Sequence, residues 1–176
     1  MDTNFYQHFF LLLSIILLSR LHELNLSRKN EKILLRDYEA KLVSPYEHYF
    51  IYFFHFSWFA FFLCESLIRQ KALYGFPSII CYVLLTVAQI LRMESMQALG
   101  IHWTAKIYCI KDQPIVKKGI FQFIAHPSYL AVILEFFALP YLFHAYWTLF
   151  IFLPLNLMIV LNRIYLEKKI TGRLIL

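Results

Sequence analysis

Residues 126–167 read HPSYLAVILE FFALPYLFHA YWTLFIFLPL NLMIVLNRIY LE. Two apolar segments, about 127–143 and 145–162, meet at Phe143-His144-Ala145, which leaves room only for a tight helical hairpin. At 1.5 Å per residue each covers roughly 25 Å, close to the thickness of a bilayer's hydrocarbon core. Pro140 and Pro154 interrupt the hairpin, and such breaks are tolerated where neighbouring helices re-satisfy the backbone. Upstream, Gly119 permits a left-handed or tight turn, and Pro127 suits the first turn of a helix. His126 and Tyr129 then lie three apart, near one face, at the membrane surface. Arg163 and Glu167 lie four apart on one face as the last segment leaves the membrane. On its own that spacing reads as a surface ion pair. The hairpin, however, returns Arg163 and Glu167 to the end that carries His126 and Tyr129, so two weak motifs converge on one place.

Three more apolar segments precede the hairpin, at about 4–22, 46–67 and 75–95. The chain is 60% hydrophobic and 16% charged, against about 45–50% and about 25% in soluble domains. These features predict an all-α integral membrane protein, a single domain over 1–176 with about five transmembrane helices and a C-terminal helical hairpin. Residues Met1–Tyr6 lack the basic start of a cleavable signal peptide, so the first segment is expected to remain as a membrane helix.

The charges follow the same layout. Under five spans with an outside amino terminus, 15 of the 17 Lys and Arg residues fall on the cytoplasmic side. Only Arg69 and Lys71 fall outside, as the positive-inside rule requires. Basic residues that track topology form no separate stripe, which argues against nucleic acid as a partner. Residues 23–45, with mixed charges, predict a helix or surface segment beside the lipid headgroups. Residues 96–126 mix Trp103, Tyr108, Phe121 and Phe123 with lysines, which suits the membrane interface. Asp112-Gln113-Pro114 signals a turn there, consistent with a short hairpin or a loop crossing the helix ends.

Several polar residues lie within apolar segments. Glu65 and Glu135 read first as bonds to neighbouring helices, and His55 as a satisfied interhelical residue. Glu94 reads as an interfacial partner of Arg92, and Asn156 requires an internal partner. Cys64, Cys81 and Cys109 lack any CxxC spacing and read as buried free thiols. Ser128 stands outside a Gly-x-Ser-x-Gly elbow, and no HExxH or paired-His spacing marks a metal site. Five spans without repeats give no support to a transporter.

The ordered set Gly119…His126-Pro127-Ser128-Tyr129, then Arg163…Glu167, resembles the isoprenylcysteine carboxyl methyltransferase family, especially its short bacterial members. Leu99-Gly100-Ile-His-Trp103-Thr104, Glu135…Pro140 and Arg20-Leu-His-Glu23…Ser27-Arg28-Lys29-Asn30 extend the resemblance over nearly the whole chain. It implies a site over about 99–176 for S-adenosylmethionine on the cytoplasmic face, with no metal. Val116, Phe121, His126, Pro127, Ser128, Tyr129 and Glu167 would contact the cofactor, and Arg163 would face the methyl acceptor. That acceptor would be a lipophilic small molecule or prenylated substrate reached through the membrane lipids. The family pattern is broken by Ala125 where Arg precedes His-Pro, by Gln122, by Phe121 in place of Tyr and by Lys168 in place of a second Glu. Leu176 falls before the Gly…Tyr…Tyr stretch of longer members, so a more open site is expected. The competing reading is a catalytically inactive membrane scaffold or partner-binding homologue.

The basic asymmetry predicts a definite topology. Reporters fused after Ser27, Tyr74, Asp112 and Leu176 should read inside, outside, inside and inside. A cytoplasmic signal at Tyr74 would sink that orientation.

Overall fold

A computed structural model describes residues 3–43, 46–110 and 117–171. Its elements are α1 (Thr3–Asp37), β1 (Lys41–Leu42), α2 (Glu47–Arg69), α3 (Phe76–Leu99), β2 (Tyr108–Cys109), α4 (Pro127–Leu142) and α5 (Tyr146–Thr171). Short 3-10 turns cover Gly100–His102 and Gly119–Gln122. Four helices, α1, α2, α3 and α5, are long and apolar enough to cross a membrane, making this a multi-pass membrane protein. The fourth apolar segment departs from the expected five full spans. α4 has 16 residues, about 24 Å of helix. It ends where His144 takes a left-handed turn (φ 55°) into α5. The segment at 23–37 is helical and continues α1 without a break.

In lipid an outward apolar side chain carries no penalty, so the helices turn their bulk outward and pack selectively within. Phe50, Phe53 and Phe56 of α2 are exposed, while Phe54, Trp58 and Phe62 are buried. Trp58 stacks on Phe136 of α4 at 4.3 Å, and Phe9 of α1 meets Phe143 edge-on at 5.0 Å. Where α3 meets α4, Ala88 and Ala131 are fully buried, and their small side chains allow close backbone approach.

Polar residues inside the bundle tie helices together. Glu65 of α2 caps α5 from outside it, accepting the backbone N–H groups of Trp147 (3.1 Å) and Thr148 (2.8 Å) and the Thr148 hydroxyl (2.9 Å). A carboxylate at a helix N-terminus satisfies donors that have no partner within the helix and complements the dipole. Glu135 of α4 accepts from Gln89 Nε2 (2.9 Å), from Arg92 Nε (3.2 Å) and Nη2 (2.9 Å), and from Arg20 of α1. Glu23 of α1 accepts from Arg20 (2.6 Å) and Arg92 (3.1 Å). Two guanidinium groups thus balance two carboxylates across three helices.

Several sequence expectations are corrected here. Arg92 turns inward to this network instead of pairing with exposed Glu94. Tyr108–Cys109 pairs antiparallel with Lys41–Leu42, far upstream. His55 bonds the Ile51 carbonyl of its own helix (2.9 Å) and sets its ring against Phe136. Asn156 is buried, yet its Nδ2 has no hydrogen-bond partner. Cys81 is buried, whereas Cys64 and Cys109 are exposed. The turn at Asp112-Gln113-Pro114 lies outside the described residues.

Removing one member of a buried ion network strands the charges that remain. Glu135→Leu is expected to lower unfolding free energy by about 3–5 kcal/mol. Arg36→Gln, at an exposed pair, should leave unfolding in detergent unchanged. Equal behaviour of the two variants would contradict the role given to the network.

Candidate functional site

The site is built where α4 begins and α5 ends. Pro127 occupies the first turn of α4, and His126, just outside it, offers its carbonyl to the backbone N–H groups of Tyr129 and Leu130. One turn into the helix, the Tyr129 ring stacks on His126 with centroids 5.4 Å apart. From α5, Glu167 accepts the Tyr129 hydroxyl, and its second oxygen lies 3.5 Å from His126 Nδ1. Arg163, one turn earlier, holds its guanidinium 5.6 Å from the Tyr129 ring centroid. Its Nη2 donates to the Ala105 carbonyl (3.0 Å), and its Nε lies 3.6 Å from Glu47 Oε1 at the start of α2. That last separation is an ion pair but too long for a hydrogen bond.

The hairpin therefore brings four sequence-predicted residues together: His126, Tyr129, Arg163 and Glu167. Phe121 is buried in the turn that packs against α3, and Ser128 is half-buried in the first turn of α4. Val116 lies outside the described residues. Sequence reasoning missed Glu47 and the Ala105 carbonyl. Glu47 stands in the first turn of an apolar helix, where a carboxylate reads simply as a partner for the helix dipole. No local spacing links it to Arg163.

Electrostatics separate the members. Burial, with Lys168 adding, holds the His126 imidazole below its ordinary value, so at neutral pH it is uncharged. Its contact with Glu167 is then not an ion pair. Among the described residues, three buried polar atoms of the cluster lack a hydrogen-bond partner: His126 Nε2, Arg163 Nε and Glu47 Oε1. The side chains of His126, Glu167, Arg163 and Glu47 are each only 15–17% exposed. The result is a largely enclosed cluster, with a carboxylate on the Tyr129 hydroxyl and a guanidinium over its ring.

Residues 78–171 match the isoprenylcysteine carboxyl methyltransferase (ICMT) family. The chain belongs to that family. It is also 32% identical over 162 residues to YpbQ, an uncharacterized protein of Bacillus subtilis (strain 168), an alignment spanning 92% of this chain and 95% of the relative. No solved structure matches the chain significantly. The stretch matched to the methyltransferase family runs through α3, α4 and α5 and carries every member of the cluster except Glu47.

The state of His126 has a measurable consequence. An unfolded histidine takes a proton near pH 6.5, whereas the folded one resists it. Below that pH the unfolded chain binds more protons, so stability is full above about pH 6.5 and declines as pH falls. Thermal unfolding between pH 5 and 8 should show that slope, and His126→Gln should lessen it, the remainder coming from His102 and His144, which burial lowers in the same way. An unchanged slope would mean that other groups carry the pH dependence.

Proposed function

We propose that this protein transfers a methyl group from S-adenosylmethionine to an oxygen of a lipophilic, isoprenoid- or lipid-like acceptor that reaches it through the membrane. The oxygen belongs to a carboxylate, an enol or a hydroxyl. The observation that carries this reading is the meeting of His126, Tyr129, Arg163 and Glu167 at one end of the hairpin, within the stretch matched to a methyltransferase family.

The residues present fit such a cofactor. His126 Nε2 is a buried polar atom without a hydrogen-bond partner among the described residues, as expected where a ligand supplies one. Glu167 offers a carboxylate to the cofactor's amino group or ribose hydroxyls. Val116, Phe121, Pro127, Ser128 and Tyr129 complete the binding surface that the family resemblance assigns. When bound, the cofactor supplies a methyl group on positively charged sulfur.

Arg163 is the acceptor-facing residue in this reading. It lies one turn nearer the membrane than Glu167, and its Nε is free of hydrogen bonds. A guanidinium there holds an oxygen in line without donating a proton to it. Transfer to an anionic oxygen needs little acid–base help, so alignment dominates the rate. The low exposure of the cluster assists by keeping water from competing. We place this end of the bundle in the cytoplasm of a bacterial cell, with the amino terminus outside and the carboxyl terminus inside, a reading supported by the charge of its loops.

Two variants measured side by side test these roles. Glu167→Gln keeps the shape and removes the charge, so a charge-assisted bond of about 1.5–3 kcal/mol is lost. S-adenosylhomocysteine should then bind about 10- to 150-fold more weakly. Arg163→Lys loses the planar fork while keeping the charge. It should hold S-adenosylhomocysteine within a few-fold of the parent yet fail to transfer radioactive methyl groups into a membrane lipid extract. Loss of both functions in Arg163→Lys would place Arg163 in the cofactor site or the fold. A parent protein that binds no S-adenosylhomocysteine would leave the scaffold reading standing.

A further inference from the structure

A cavity lies beside this cluster without including it. A cleft of about 330 Å³ opens between the far half of α1 and the start of α2, lined by Leu24, Arg28, Glu31, Tyr49, Tyr52 and Lys106 among others. His48 also lines it. Its chain neighbour Glu47 and the neighbour of Lys106, Ala105, are the two groups that hold Arg163. Neither His126, Tyr129, Arg163 nor Glu167 borders the cleft.

Depth comes first. α1 has 35 residues, about 50 Å of helix, far more than a hydrocarbon core of roughly 30 Å requires. Its apolar run ends near Arg20, so Leu24 and Arg28 stand about 6 and 12 Å beyond that edge. This is the level of the lipid headgroups. Tyr49 and Tyr52 are 67% and 41% exposed there, the position that amphipathic rings favour.

Charge comes next. Glu31 is already engaged by Lys106 Nζ (2.7 Å) and the Ser27 hydroxyl (2.8 Å). Arg28 is exposed and makes no hydrogen bond or ion pair with any described residue. Two cations against one carboxylate leave the lining with one net positive charge. Guanidinium, ammonium and two phenol hydroxyls supply several donors to a group with several acceptor oxygens.

We propose that this cleft binds the singly charged phosphodiester headgroup of an anionic membrane lipid. One negative charge balances the lining, the donors meet the phosphate oxygens, and the rings of Tyr49 and Tyr52 with Leu24 cover the glycerol and the start of the acyl chains. A free phosphate would use the cations and leave that apolar wall uncovered. The site is separate from the methyl-transfer reading and does not depend on it.

Native mass spectrometry of the full chain tests this with three probes: short-chain phosphatidylglycerol, phosphatidylcholine of the same chain length, and soluble glycerol phosphate. Phosphatidylglycerol should bind about tenfold or more tightly than phosphatidylcholine, the margin set by one charge-assisted contact. Arg28→Gln should erase that margin. Lys29→Gln removes an exposed neighbouring charge outside the cleft and should preserve it. Arg28 has no partner within the protein to lose, and an unchanged thermal midpoint without lipid confirms that the variant is folded. Equal binding of the two lipids would overturn the proposal. So would equal losses in the two variants, which would indicate diffuse surface attraction. Glycerol phosphate matching phosphatidylglycerol would also overturn it, by showing a site for free phosphate.

Discussion

Inside a bilayer a carboxylate finds no water, so Glu135 must be met by cations wherever α4 is placed. Arg92 of α3 and Arg20 of α1 meet it, and Glu23 balances the second positive charge. Either arginine misplaced by one helical step would leave a buried charge unmatched, at a cost of several kcal/mol. The network therefore fixes the rotation of three helices together. Tyr129 and His126 lie six and nine residues before Glu135 on or just ahead of the same helix, so their direction is set by it. A short α4 suits this role, since much of its length is buried among its neighbours instead of facing lipid.

The other half of the site is held by a different chain of contacts. Asn30 of α1 donates to the carbonyls of Gly100 (3.0 Å) and Trp103 (2.8 Å), and Ser27 accepts the Ala105 N–H (3.0 Å). Lys106 closes the tie through Glu31. The loop after α3 is thus bolted to the extension of α1, and its Ala105 carbonyl receives Arg163. At the opposite end of α5, Glu65 of α2 caps the first turn. A helix pinned at both ends has little freedom to rotate, and Arg163 and Glu167 consequently face the same way.

This division explains what was legible from sequence. The hairpin and the meeting of His126 and Tyr129 with Arg163 and Glu167 followed from helical period and a three-residue connection, both local quantities. The destination of Arg92 did not. Glu94 is two residues away in sequence but faces elsewhere on the helix, while Glu135 is distant in sequence and adjacent in space. Glu47 and the pairing of Tyr108–Cys109 with Lys41–Leu42 were hidden for the same reason: each depends on how helices are rotated and docked. Cys64 and Cys109 show a related limit, because an apolar neighbourhood in sequence does not distinguish the interior of a membrane bundle from its outer surface. The roles of the site residues rest on family resemblance and on the fit of the groups gathered there.

The two polar clusters are comparably buried but differently completed. Glu135 has both oxygens engaged by four donors from three side chains, and Arg92 spends Nε, Nη1 and Nη2 on carboxylates. At the end of the bundle, His126 Nε2 is enclosed without a hydrogen-bond partner among the described residues, and Arg163 Nε and Glu47 Oε1 face each other as an ion pair without a hydrogen bond. Single buried atoms without a hydrogen bond occur elsewhere among the described residues, at His48, Trp58, Ser66, His102 and Asn156. An enclosed polar atom without a hydrogen bond lowers stability by roughly 1–3 kcal/mol when nothing meets it. A fold that saturates its deep charges can carry that deficit at its rim. Under the proposed function, a ligand with both donors and acceptors would meet these atoms and draw affinity from that deficit.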